Sequence, residues 1–274
     1  MSGPSRFLRL WGFPRLSGDW ELPADPARFP VFLLMGQSNM AGYGGIHPSD
    51  PWQDGDFLPS PRVVVLGGQC TLKSRRSRGW ARWRPAAHPL HLNQKSCGFG
   101  LALPFASRLL EEKPELTIGL IPCAWGGAGI DQIGPGTPLY ENAIARARTA
   151  TQRGRLAGVL WHQGETDALH DALAPTHAGK LADFIVRLRS DLAAPELPFL
   201  IGDLGTFGNG KRDPSALARH DRVRAGLRQV AEETDHAAFV ESEGLAGVDI
   251  VHFGRAAFIE FGRRYAGAYQ SLSC

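Results

Sequence analysis

The sequence predicts an α/β protein, a three-layer α/β/α sandwich with helices on both faces of a central parallel sheet. Short apolar runs of strand length alternate with longer segments of helical period, the pattern of a parallel sheet whose strands are buried on both faces. Nearly every run ends in a polar or glycine-containing turn, as strands that hand the chain to a crossover helix do. The chain has 274 residues, 43% of them hydrophobic and 21% charged. That is enough for one large domain with a real core, and an ordinary balance for a globular protein.

Residues 1–30 read as an N-terminal extension preceding or packed on the domain, and 31–274 as the domain itself. The candidate strands are 31–35, 63–66, 118–121, 158–161, 199–203 and 239–241, each short and apolar. Helical stretches lie between them. In 99–112, Leu101, Phe105, Leu109 and Leu110 share one stripe, and Pro104 falls near the first turn, where a proline is tolerated. Segment 140–153 is rich in Ala and Arg. Segment 178–192 spaces Leu181, Phe184, Ile185 and Leu188 as a buried face. Segments 215–233 and 254–269 complete the set, the last aligning Phe258, Phe261, Tyr265 and Ala268. Two stretches fit neither period: 43–61, rich in Gly, Pro and Asp, and the long basic stretch 69–95. Loops of this length in a compact domain are usually functional or mobile. In an open α/β sheet the loops at the carboxyl ends of the strands form the ligand crevice.

The formal charge is +3, from 30 Lys and Arg against 27 Asp and Glu, and it gives no reason to expect nucleic acid as a partner. Cys70, Cys97, Cys123 and Cys274 form no C-x-x-C pair and show no ligand spacing with histidine. They read as buried thiols, with no metal expected. Segment 1–20 mixes Arg6, Arg9 and Arg15 with isolated apolar residues, unlike a signal peptide. No run of about 18 apolar residues occurs, so no membrane span is expected. The chain as given reads as cytoplasmic, or as secreted if a leader was removed.

Four segments hold residues suited to chemistry, and each follows a candidate strand. Ser38, in Gly36-Gln37-Ser38-Asn39-Met40, emerges three residues beyond the first run. A serine there meets substrate, and the N–H groups of the following turn converge near it; its ordinary employment would be a helix cap. Asp249-Ile250-Val251-His252 precedes the last helix and sets an acid and a base in one loop, although the pair also suits a capping Asp and a surface His. Trp161-His162-Gln163-Gly164-Glu165-Thr166-Asp167 ends another strand. There Gln163 offers an amide to an oxyanion, and Glu165 a second carboxylate, or else Glu165 and Asp167 charge the first turn of a helix. Ala124-Trp125-Gly126-Gly127-Ala128-Gly129 has adjacent glycines that can turn N–H groups toward an anion. It lacks the Gly-Lys-Ser/Thr of a phosphate loop. Together the segments hold a nucleophile, a base, an orienting acid and oxyanion donors, the parts needed for acyl transfer.

These blocks resemble those of the SGNH hydrolases, in the variant of the sialate O-acetylesterase-like domain and carbohydrate esterase family six. The resemblance runs in order through Gly36–Met40, Trp125-Gly126-Gly127, Trp161–Glu165 and Asp249-x-x-His252-Phe253. It implies the flavodoxin-like SGNH-hydrolase fold, Ser38 as nucleophile, His252 as base and Asp249 as its orienting acid, with Glu165 as the alternative acid. It further implies an oxyanion hole from the N–H groups of Ser38 and Gly127 and the side chain of Gln163, which stands where the wider group has Asn. Ala128 departs from the pattern, since a hydroxyl residue often sits there. The implied reaction is removal of O-acetyl groups from a carbohydrate, of acetylated xylan or sialic acid type, with no cofactor. The alternatives are a broad small-ester carboxylesterase and a non-catalytic carbohydrate-binding protein on the same fold. Gln37, Asn39 and Trp125 are candidates to touch substrate. Trp80 and Trp83, interleaved with Lys73, Arg75, Arg76, Arg78, Arg82 and Arg84, are weaker ones that could stack and pair with an acidic sugar, since a solvated loop with two tryptophans tucked onto the domain accounts for them more simply. The other histidines show no metal spacing on a common face.

Overall fold

The computed structural model describes residues 22–67, 82–92 and 97–272. Trp80, Cys70, Cys274, most of the basic stretch and the first part of the N-terminal extension lie outside the described residues.

The organising strand is β1 (Pro30–Gly36), which is buried along its whole length. Its proline comes first, where the missing N–H removes least from the ladder. A short helix, α1 (Ser38–Ala41), follows at once. Next in the chain come β2 (Val63–Leu66), β3 (Trp83–Pro85), α2 (Ala102–Glu112), β4 (Ile118–Pro122), α3 (Ile130–Ile133), α4 (Pro138–Ala150) and β5 (Arg155–His162). The remainder is α5 (His177–Asp191), β6 (Phe199–Gly202), α6 (Pro214–Glu233), β7 (Ala237–Val240) and α7 (Arg255–Leu272). The seven-stranded sheet has the order β3-β2-β4-β1-β5-β6-β7. Neighbours pair in parallel except β3, which runs antiparallel to β2 with Val65 opposite Arg84. The sheet is therefore mostly rather than wholly parallel. The unexpected strand is the three-residue edge Trp83–Pro85, which no apolar run announces.

Alternation on the strands divides the core in two. Val31, Leu33 and Met35 of β1 face one layer, with Leu181 and Phe184 of α5 and Val223 and Leu227 of α6. Phe32 and Leu34 face the other, with Phe105 of α2 and Phe258, Phe261 and Tyr265 of α7. Each such side chain taken fully out of water contributes about 1.5–3 kcal/mol. Trp83 belongs to this packing: its ring meets Phe29 edge-on at 5.0 Å between centroids, so it seals the core rather than standing in the crevice. Cys97 and Cys123 are buried thiols. Among the described residues, no helix is long and apolar enough to cross a membrane.

From β1 the chain goes to β2 on one side, and after β4 it crosses β1 to β5 on the other. Loops leaving β4 and β5 therefore part around the carboxyl end of β1, the switch point at which open α/β sheets bind ligands. The sheet closes tightly there. Gly36 has φ +137°, and a Cβ built on it would overlap the carbonyl of His162. Gln37 N–H donates to that same carbonyl at 2.9 Å. Gly36→Ala is expected to lower stability by about 3 kcal/mol or more, from overlap and backbone strain together. The urea midpoint measures it, and an unchanged midpoint would contradict this approach of β1 to β5.

Candidate active site

Ser38 begins α1, and Gln37 occupies the cap position without a side-chain cap bond. Ser38 is therefore not employed as a cap. Its Oγ lies 2.9 Å from Nε2 of His252. The imidazole's other nitrogen, Nδ1, is 2.8 Å from Oδ2 of Asp249. A carboxylate only accepts, so the ring hydrogen resides on Nδ1 and the lone pair of Nε2 faces the serine hydroxyl.

The loop carrying Asp249 and His252 is folded on itself. Val248 N–H donates to His252 O (2.8 Å) and Gly254 N–H to Ala246 O (3.2 Å). Asp249 Oδ1 accepts the N–H groups of Val251 and His252, each at 2.7 Å. The acid thus caps its own turn and holds the ring. Burial, the largest influence, pushes the Asp249 carboxyl up; hydrogen bonds from the His252 ring and from the His252 and Val251 amides bring it below its ordinary value. Tyr43, at the start of the loop after α1, stacks on the imidazole with centroids 3.8 Å apart and planes 11° from parallel. No spacing in the sequence points to that ring.

The segment after β4 is drawn against this group. Trp125 N–H donates to Gly36 O at 3.0 Å, and Ala128 N–H closes a turn onto Trp125 O at 3.2 Å. Gly127 is the third residue of the turn, at φ +75°, a conformation natural to glycine. It is exposed, with nothing within 4 Å of a Cβ built on it. Trp125 is half-buried. His91 supports the segment from beneath, accepting Ala124 N–H at 3.2 Å and bonding the backbone of Ala41. Burial pushes His91 down to about 3, with Arg146 adding to the fall, so it serves as a neutral bridge.

The block after β5 turns inward. Gln163 is fully buried. Its amide nitrogen donates to Asp167 and to Ala128 O (3.3 Å), and its carbonyl accepts from His177 Nε2 at 2.9 Å. Both N–H groups are spent inside the protein, so the expected Gln163 oxyanion contact is corrected: no donor remains for it. Asp167 also takes Ile130 N–H at the start of α3. Gln37 is 3% exposed and its Oε1 faces the amides of Gly164 and Thr166. Asn39 is fully buried, bonded to Glu165, Val251 and Phe253. Both turn inward, contrary to expectation: Gln37, at a non-helical cap, folds its side chain onto the loop after β5, and Asn39, about 100° round the helical turn from Ser38, faces the core.

Glu165, the alternative acid, does not reach His252. Its Oε1 accepts from Asn39 Nδ2 at 2.6 Å and from His162 Nε2 at 3.1 Å. Burial, the largest influence, raises its carboxyl, but the charge and hydrogen bond of His162 and the amide of Asn39 hold it below the ordinary carboxylate value.

A family model described as carbohydrate esterase, sialic acid-specific acetylesterase, matches residues 28–271. A probable carbohydrate esterase of Arabidopsis thaliana is 32% identical over 257 residues, covering 89% of this chain and 91% of that protein. The solved structure of the Arabidopsis protein superposes with a TM-score of 0.74 at 29% identity, over 89% of this chain and 99% of that one. NanS gives a TM-score of 0.72 at 20% identity, over 93% and 99% of the two chains. A carbohydrate acetylesterase from Xanthomonas citri gives 0.64 at 19%, over 89% of this chain and 56% of that one. The fold is that of the SGNH and GDSL-like hydrolases.

Proposed function

The chain belongs to the carbohydrate esterase family of sialic acid-specific acetylesterases and is a carboxylic ester hydrolase; from that premise we propose that it removes O-acetyl groups from a carbohydrate through an acyl-enzyme formed on Ser38. The observation that carries this reading is the unbroken relay from Ser38 Oγ through His252 to Asp249, at 2.9 and 2.8 Å.

Ser38 Oγ attacks the acetyl carbonyl carbon while its proton passes to His252 Nε2. The negative charge that develops on the carbonyl oxygen is taken by the N–H groups of Ser38 and Gly127. Ser38 N–H is in the first turn of a helix, where no intrahelical acceptor exists, and Gly127 N–H is in an open glycine turn. Each such donor is worth about 10²–10³ in rate. Collapse of the tetrahedral species breaks the bond to the sugar oxygen, which leaves with the proton held on Nε2. A water molecule then attacks the acetyl group on Ser38, giving its proton to Nε2. Acetate departs and Ser38 Oγ takes the proton back. Asp249 keeps the ring in the right tautomer and stabilises the imidazolium formed in each half-reaction. Trp125, half-buried on the turn beside Ser38, is assigned to the substrate side, as the face on which a sugar ring stacks.

Activity on a neutral ester should rise with pH along a single acid limb, because the base accepts a proton only when neutral. Asp249 has a folded pKa below its unfolded one, so its contribution to stability is present above about pH 4 and is lost only as pH falls through the lower folded value. Burial holds His88 and His91 down to about 3 and also lowers His177 and His220, so the fold loses stability as pH falls below about 6.5, and circular dichroism at each pH separates loss of the base from unfolding. A rate that does not fall toward acid pH while the protein stays folded would remove histidine from the role of base.

Acetate release measured across acetylated xylan, O-acetylated sialic acid and an aryl acetate, with Ser38→Ala as blank, tests the substrate class. The expected result is a higher kcat/KM on an acetylated glycan than on the aryl ester. Turnover of the aryl ester alone would leave a small-ester esterase in its place.

A further inference from the structure

Asn39 follows Ser38 directly, yet its side chain faces away from the crevice and is wholly buried. One Nδ2 hydrogen goes to Val251 O at 3.0 Å, and Oδ1 accepts Phe253 N–H at 3.2 Å. Those groups flank His252 on either side. They are the pair of bonds that a neighbouring parallel strand makes around one residue, so the amide of Asn39 stands in for a peptide unit and grips the backbone of the base. The other Nδ2 hydrogen goes to Glu165 Oε1 at 2.6 Å. An ionised carboxylate only accepts, so it compels Nδ2 to face it and orients the amide so that Oδ1 meets Phe253. Glu165 Oε2 is buried and meets no donor among the described residues. Whatever Glu165 does in the site therefore passes through Oε1, to Asn39 and to His162.

We propose that Asn39 is a positioning residue that locks the backbone of the base to the helical turn of the nucleophile, and that Glu165 acts through Asn39 rather than on His252. The inference rests on the assignment of Ser38 and His252 above. It gives the buried Glu165 a part in the reaction without contact to the imidazole. It also accounts for an asparagine beside the serine that substrate cannot reach.

The test uses the full chain and an aryl or glycan acetyl ester. Asn39→Ala is expected to lower kcat by about tenfold or more with KM within about threefold, since a base displaced by an ångström loses rate rather than binding. Glu165→Gln is expected to lower kcat less, and to add almost nothing in the Asn39→Ala background, because both act on one element. Should Asn39→Ala fail to fold, Asn39→Asp preserves shape and sets two carboxylates against one another. One of them must then hold a proton, so a descending limb is expected to be added to the ascending limb of the base, making the profile bell-shaped where the parent's is not. Circular dichroism at each pH verifies that the variant is folded. The groups bearing on this pair are His162 of β5, Asp167 and His177, Arg212 and His220, and Tyr265 of α7; all are present in both enzymes.

Additive losses in the double variant would overturn the claim that Glu165 works through Asn39. Undiminished kcat in Asn39→Ala, or a parental pH profile in Asn39→Asp, would overturn the positioning role. Ser38→Ala is run alongside. If it retains turnover, the nucleophile is misassigned; if it is inactive while Asn39→Ala is not, only the present inference fails.

Discussion

Ser38→Ala is expected to lower kcat/KM on an acetyl ester by on the order of 10⁴ or more, with fold and melting temperature preserved. Among the described residues the hydroxyl makes one side-chain hydrogen bond, to His252 Nε2 at 2.9 Å, and the cap position of its helix belongs to Gln37. Removing the hydroxyl leaves a nitrogen lone pair on a ring whose side chain is 19% exposed, where water replaces the lost partner. A substitution of that kind changes stability by about 0.5 kcal/mol or less. The whole effect should therefore be on rate. A folded variant retaining a tenth of wild-type turnover would take Ser38 out of the reaction.

Asp249→Asn is expected to lower kcat by on the order of 10² or more with little change in KM. The new side chain can keep Oδ1 on the amides of Val251 and His252, so the turn survives. In place of Oδ2 it presents an N–H to Nδ1, which must then accept. The ring hydrogen moves to Nε2, and the base meets the serine with a donor where a lone pair is needed. Glu165→Gln should cost clearly less, because its carboxylate lies on Asn39 and His162 and not on the imidazole. Steady-state kinetics of the two variants decide the matter. The reverse order would make Glu165 the partner of the base.

Much of this arrangement was legible in the sequence, because a parallel strand buried on both faces must be a short apolar run and its carboxyl end must lie at the crevice. That reasoning located β1, β2, β4, β5, β6 and β7 to within a few residues, and put Ser38, Gly127 and the Asp249–His252 loop at one edge of the sheet. It missed β3 because Trp83-Arg84-Pro85 pairs on one side only and needs no apolar run. It misread Gln37, Asn39 and Gln163 for a different reason. Spacing gives the end at which a residue emerges, not the direction its side chain takes in the turn that follows. Gln37 and Asn39 look as available as Ser38 until the cap and the first helical turn send them inward. Tyr43 was invisible for the opposite reason: it lies in an irregular loop whose path is held from afar, by Asp50 on the Arg255 amide at 2.7 Å and Asp56 on the Arg255 guanidinium at 2.7 Å. No local pattern encodes that stack on His252.

The central claim is that one serine is made nucleophilic by one histidine. A serine-directed organophosphonate, followed by peptide mapping of the parent enzyme and of His252→Ala, tests it most directly. The account predicts a single adduct on Ser38 in the parent and its loss in the variant, since without the base the hydroxyl is no more reactive than any other. An adduct on a different residue, or equal labelling of Ser38 with and without His252, would contradict it.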